Sequence, residues 1–216
     1  MSRASATVAS VAVGALLAAA TLAGCTAARD DVSEQVTVFA AASLTESFEA
    51  IADAFEQQHP GVRVVLNFGG SASLATQIVE GAPADVFASA SPETMMVAGA
   101  VPFATNTLQI AVPAGNPGGV ASLRDFADPS LAIALCAPVV PCGAAAEQAL
   151  SESGVVASVD SFEQDVKAVL TKVELGEVDA GLVYRTDVLA AGAAVQAITA
   201  LNSPKSIDPI VALPTA

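Results

Sequence analysis

The sequence predicts an α/β fold in two lobes, and three observations carry that reading. Short apolar runs alternate with helical stretches, the helical stretches carry apolar residues at three-to-four spacing, and Gly, Pro or Ser marks the junctions. The pattern begins at Val36, breaks in a Pro- and Asn-containing passage after residue 90, and resumes near Leu108. The strand around Leu108 to Val112 is therefore the expected crossing point between the lobes.

"VTVFAAA" (Val36 to Ala42) is a buried-strand run. The following "SLTESFEAIADAFEQQ" puts Leu44, Phe48, Ile51 and Phe55 on one helical face, with Ser43 and Glu46 spaced as a capping box and Pro60-Gly61 as the stop. "VRVVLNF" (Val62 to Phe68) predicts a strand, "SLATQIVEG" a helix ending at Gly81, and "ADVFASA" (Ala84 to Ala90) a third strand. In the second block "TLQIAVP" and "LAIALC" read as strands, "AAAEQALSES" and "SFEQDVKAVLTKVELG" as helices, and "DAGLVY" (Asp179 to Tyr184) as a strand. Strand alternating with helix implies parallel sheets with right-handed crossovers. In such sheets ligands bind where strands end and helices begin.

Ahead of this pattern, residues 1–24 have the layout of a secretory signal: Arg3, an apolar stretch, then small residues. The apolar core from Val8 to Leu22 is short for a membrane span of about 20 residues. "LAGC" (Leu22 to Cys25) resembles a bacterial lipobox, which makes Cys25 the expected lipidation site and residues 25–35 a polar tether. The chain holds 8 basic and 22 acidic residues, a formal charge of −14. Its Lys and Arg are scattered singly, which argues against nucleic acid, since polyanion binding needs clustered cations. The acidity speaks for solubility, and nothing signals an oligomer, so a monomer is expected.

Four junctions each open a predicted helix: "AAASLT" around Ser43, "FGGSASL" around Ser71, "PCGAAA" around Cys142 and "FEQDVK" around Val166. Free N–H groups at helix starts attract anions with help from the helix dipole. Ser43 and Ser71 add hydroxyls, Gly69, Gly70 and Gly143 permit close approach, and only Lys167 supplies a cation nearby. Plain helix capping is the better explanation of any one junction taken alone. Enzyme motifs are weak: "GGSAS" misses the G-x-S-x-G elbow at Ser73, and the single histidine, His59, sits where a helix ends. No H-E-x-x-H, Walker loop or G-x-G-x-x-G occurs.

"VTVFAAASLTESF", "FGGSASLATQIVEGAPADVFASA", "NTLQIAVPAGNP", "VPCGAAAEQAL" and "VELGEVDAGLVYRTD" together resemble the periplasmic molybdate-binding proteins of ABC importers, in order and near the expected separations. The resemblance implies a type II clamshell, with lobe 1 at 36–107 joined by 199–216 and lobe 2 at 108–198. It implies no enzyme activity and no cofactor; molybdenum would enter only as bound molybdate or tungstate, and an ABC permease would be the partner. The protein would be extracytoplasmic, meeting the cell membrane through its lipid alone. Carried over residue by residue, the oxyanion would meet Ser43 and Ser71 through hydroxyl and backbone N–H, Cys142 and Val166 through backbone N–H, and Tyr184 through its hydroxyl. A buried dianion loses much hydration, and around seven charge-assisted hydrogen bonds at roughly 1.5–3 kcal/mol each can offset that loss without a permanent cation. Cavity size would then separate molybdate or tungstate from sulfate. The alternatives are a clamshell for another oxyanion such as sulfate, a secreted serine hydrolase using Ser71, or a lipoprotein that no longer binds.

The chain departs from the family in two places. After "SPETM" only "MVAGAV" stands where the family has a helix and a "GL" turn, and after "DPIVAL" the family's terminal helices are missing. If those helices cover a sheet face, apolar surface is expected there at a cost in stability. "CAPVVPCG" places Cys136 and Cys142 in one loop. In an oxidising compartment this pair reads as a disulfide, because no His or further Cys is near to complete a zinc set. Such a bridge would fix one wall of the oxyanion site.

Overall fold

The structure is a computed structural model that describes residues 34–95 and 100–198, and residues 208–214 by their backbone alone. The signal segment, Cys25 and most of the expected tether lie outside the described residues. The tether's last two residues, Glu34 and Gln35, already belong to the first strand.

That strand, β1 (Glu34–Ala41), passes through a 3-10 turn at Ala42–Leu44 into α1 (Thr45–Gln58), followed by β2 (Val62–Gly69), α2 (Ser71–Val79), β3 (Val86–Ser89) and β4 (Val101–Asn106). β1 pairs in parallel with β2 and β3, with Val38 beside both Leu66 and Val86. Alternation along β1 then sorts its side chains between two layers. Val38 and Ala40 pack with Leu44 and Phe48 on the α1 side, while Phe39 packs with Leu74 of α2 and Phe87 on the other.

After Thr107 the chain enters a second sheet. It runs β5 (Leu108–Pro113), β6 (Ile133–Cys136), α3 (Pro141–Glu152), β7 (Ser161–Glu163), α4 (Val166–Glu174), β8 (Ala180–Tyr184), α5 (Arg185–Ala191) and β9 (Val195–Ile198). The last described strand, β10 (Asp208–Pro214), lies between β3 and β4 of the first sheet. The strand orders are β2-β1-β3-β10-β4 and β7-β6-β8-β5-β9. One large core, including Ile110, Val112, Phe126, Ile133, Val169 and Leu182, fills the second half.

The structure corrects three expectations. The sheets are mixed, not all parallel: β5 is antiparallel to β8 and β9, and β10 to β3 and β4. The reversed pairs arise where the chain passes between the sheets: β5, reached from β4 through Thr107, inserts between β8 and β9, and β10, following β9, inserts between β3 and β4. The helix expected over "SFEQDVKAVLTKVELG" begins only at Val166, because Asp165 caps it by accepting the Ala168 N–H through Oδ1 at 3.0 Å. Ser161–Glu163 instead pairs in parallel with β6. The capping box at Ser43 and Glu46 does not form: Ser43 lies inside the 3-10 turn, and Leu44 is the residue preceding α1. A box of that kind occurs at Ser122 and Asp125.

Candidate functional site

Helix starts from both sheets converge on one cavity. Ser43 follows β1 in the 3-10 turn, and Ser71 is the first residue of α2 after Gly70. Cys142 is the second residue of α3, where Pro141, lacking an N–H, leaves the Cys142 amide as the first of the helix. Val166 opens α4, and Tyr184 ends β8 at the start of α5. All five are buried and line the same cavity. Its volume is about 20 Å³, far below the roughly 300–1,000 Å³ of pockets for drug-sized molecules, so the space suits an occupant of few atoms.

The lining is nearly neutral. It contains no Lys, Arg or His, and its one charged residue, Asp165, has a carboxylate oxygen engaged in capping α4. Ser71 Oγ accepts the Ala90 N–H at 3.0 Å, which leaves the hydroxyl proton to be donated elsewhere. In the first turns of α3 and α4 the Gly143 N–H donates to the Val140 carbonyl at 2.9 Å and the Ala168 N–H to Asp165, whereas the Cys142 and Val166 amides sit where an α-helix supplies no internal acceptor. Together these groups present hydrogen-bond donors and helix-dipole ends to a small anion.

Two glycines allow the close approaches that shape the cavity. A Cβ on Gly70 would lie 2.4 Å from the Gln164 carbonyl oxygen, so the segment before α2 and the segment before α4 meet with no room for a side chain. A Cβ on Gly143 would lie 1.9 Å from the Ala137 carbonyl oxygen. Gly69, also expected to allow close approach, would meet only ordinary contact with Leu74. Cys136 and Cys142 form a disulfide with Cα atoms 5.7 Å apart, tying the end of β6 to the first turn of α3.

Behind the cavity wall lies a charged cluster the sequence did not disclose. Lys167 Nζ is 2.5 Å from Glu46 Oε1 and 3.6 Å from Asp187 Oδ1. The second distance is an ion pair too long for a hydrogen bond. Asp187 has no solvent exposure, and its Oδ2 accepts the Tyr184 N–H at 2.9 Å. Burial pushes its carboxyl up to about 6, against the opposing pull of Lys167 and of the Tyr184 N–H. An acid three residues beyond a strand end is a capping signal that could have pointed to Asp187.

A serine hydrolase needs a base near Ser71. His59 instead packs against Phe55 beyond the end of α1, and no histidine lines the cavity. Among the described residues no cluster of His, Cys, Asp and Glu could hold a metal ion, and no helix is long and apolar enough to cross a membrane.

Two mixed α/β sheets whose helix starts share one small, donor-lined cleft define a two-lobed solute-binding protein. Residues 36–216 match the family model for bacterial extracellular solute-binding proteins, and the chain belongs to that family. It is 41% identical over 174 residues to the molybdate-binding protein ModA of Mycobacterium tuberculosis, covering 77% of this chain and 67% of that protein. Among solved structures it is similar to the periplasmic molybdate-binding protein of Azotobacter vinelandii, with a TM-score of 0.67, 24% identity, and coverage of 82% of this chain and 84% of that one. The sulfate-binding protein SubI from Mycobacterium tuberculosis shares the fold with a TM-score of 0.65 at 20% identity, over 77% of this chain and 71% of that one. The family is one of binding proteins, not enzymes.

Proposed function

We propose that this protein captures molybdate or tungstate between its two lobes, residues 36–107 with 199–216 and residues 108–198, and delivers it to an ABC permease. One observation carries the reading: Ser43, Ser71, Cys142, Val166 and Tyr184, drawn from both sheets, line a single small cavity without a basic side chain. Ser43 and Ser71 donate through hydroxyl and backbone N–H, Cys142 and Val166 through backbone N–H, and Tyr184 through its hydroxyl. The molybdate-binding names of the relatives support the choice of anion.

Neutral donors suit a carrier. Fixed dipoles on rigid helix starts hold the dianion while the lobes are closed. Opening separates the serine half of the site from the amide half and returns the anion to water. The lipid on Cys25 keeps the monomeric protein at the outer face of the membrane, and Cys25→Ala releases it into the medium.

Calorimetric titration of the mature protein with molybdate, tungstate, sulfate and phosphate tests the reading. We expect one saturating site for molybdate and tungstate and weak or no heat from the other two. No heat with any anion would overturn the oxyanion function. An equal response to sulfate would overturn the metal-oxyanion preference and favour a general tetrahedral-dianion receptor.

A further inference from the structure

Glu46 stands on α1, which packs against the first sheet, and Lys167 on α4, which packs against the second. The two residues are 121 positions apart in the chain, yet their side chains meet at 2.5 Å. Each follows a cavity position closely: Glu46 comes three residues after Ser43, and Lys167 one residue after Val166. On the second half Asp187, fully buried, lies 3.6 Å behind the Lys167 ammonium and also holds the Tyr184 N–H. The ammonium is thus anchored on its own half and directed at a carboxylate on the other.

We propose that Glu46 and Lys167 form an electrostatic latch across the cleft, with Asp187 as the residue that positions Lys167, and that this latch sets the rate at which the bound anion escapes. The proposal rests on the oxyanion-receptor reading and adds to it residues that line no part of the cavity. The pair can form only when α1 and α4 approach, so its free energy favours the closed form over the open one. A contact absent from the open form and from the encounter with ligand acts on dissociation more than on association. Glu46 is available for this because its carboxylate does not cap α1.

Gly70 marks the same closure by steric means. The contact between Gly70 and the Gln164 carbonyl joins the two halves on the cavity wall, while the ion pair joins them behind it. A side chain at position 70 would hold the halves apart; loss of the latch would only let them part faster.

Glu46→Gln tests the latch, because it keeps the side chain's shape on an exposed helix position and removes only its charge. Release of radiolabelled molybdate from the loaded mature protein, chased with unlabelled molybdate, should accelerate about two- to fivefold at low salt, the effect expected of one partly exposed ion pair. The association rate should stay within about twofold, and the difference between wild type and variant should shrink at about 1 M salt. A release rate unchanged at low salt would overturn the latch. X-ray scattering of the ligand-free proteins gives a readout independent of any anion: the variant should be more expanded than the wild type. If the wild type binds no anion, the receptor reading falls, and an unchanged scattering profile then overturns the latch as well.

Discussion

The two halves of the molecule contribute to one cavity but are built differently. The second half has a single continuous core, with Phe126, Ile133 and Val169 wholly buried and β6 buried along its length, and a disulfide beside the site. The first half divides its buried residues between two small clusters on either face of its sheet. Its helix α1 leaves Ile51 57% and Phe55 39% exposed beside an apolar groove over Val36, Val64 and Leu66. The cavity lining differs in parallel: the first half places Ser43 and Ser71 there, and the second places Cys142, Val166 and Tyr184. The contrast sets a half packed around one continuous core against a half whose packing is divided between the two faces of its sheet.

Core truncation should break this comparison most visibly. Phe126→Ala should cost about 3–5 kcal/mol of global stability, as expected for a fully buried aromatic. Phe55→Ala should cost less than about 1 kcal/mol. Denaturant melts of both variants check the contrast, and similar losses would mean that the halves are equally well packed.

The next effect belongs to Asp187. Its folded carboxyl is raised to about 6 by burial, so between about pH 4 and pH 6 the folded protein retains a proton that the unfolded chain gives up. Stability should therefore fall as pH rises through that window, by an amount on the order of 2–3 kcal/mol, and level off above it. Asp187→Asn should flatten this part of the profile in melts from pH 4 to 7, and an unchanged slope would place the titration elsewhere.

Ser71→Ala removes a donor that the Ala90 N–H already orients. Affinity for molybdate should drop by about 1.5–3 kcal/mol, roughly 10- to 150-fold, with a small change in melting temperature. Reduction of Cys136–Cys142 should cost about 2 kcal/mol of stability for so short a loop, yet weaken anion binding by more than that. A melting shift with unchanged affinity would show that the bridge only staples the loop.

The sequence made some parts legible and concealed others for physical reasons. β1, β2, α3 and β8 were readable because their apolar runs are continuous or regularly spaced, with Gly or Pro marking the ends of β2 and α3. β7 was hidden because its three residues include Phe162, which is half exposed and joins the helical spacing that follows. β4, starting "VPF", and β9 have no clean alternation, since edge and connecting strands meet solvent unevenly. For the site, single junctions were visible as helix starts, and the family resemblance grouped them. The Glu46–Lys167 pair and the Gly70–Gln164 approach depend on contacts between distant segments, which local pattern cannot report.

The central claim is that a tetrahedral metal oxyanion is held in this cavity by neutral donors from both halves. Crystals of the molybdate complex, with anomalous diffraction collected at the molybdenum edge, test it most directly. We expect one strong peak in the cavity, with oxygens about 2.7–3.1 Å from the hydroxyls of Ser43, Ser71 and Tyr184 and the amides of Cys142 and Val166. A peak elsewhere, or an anion whose contacts come mainly from Lys or Arg, would contradict the account.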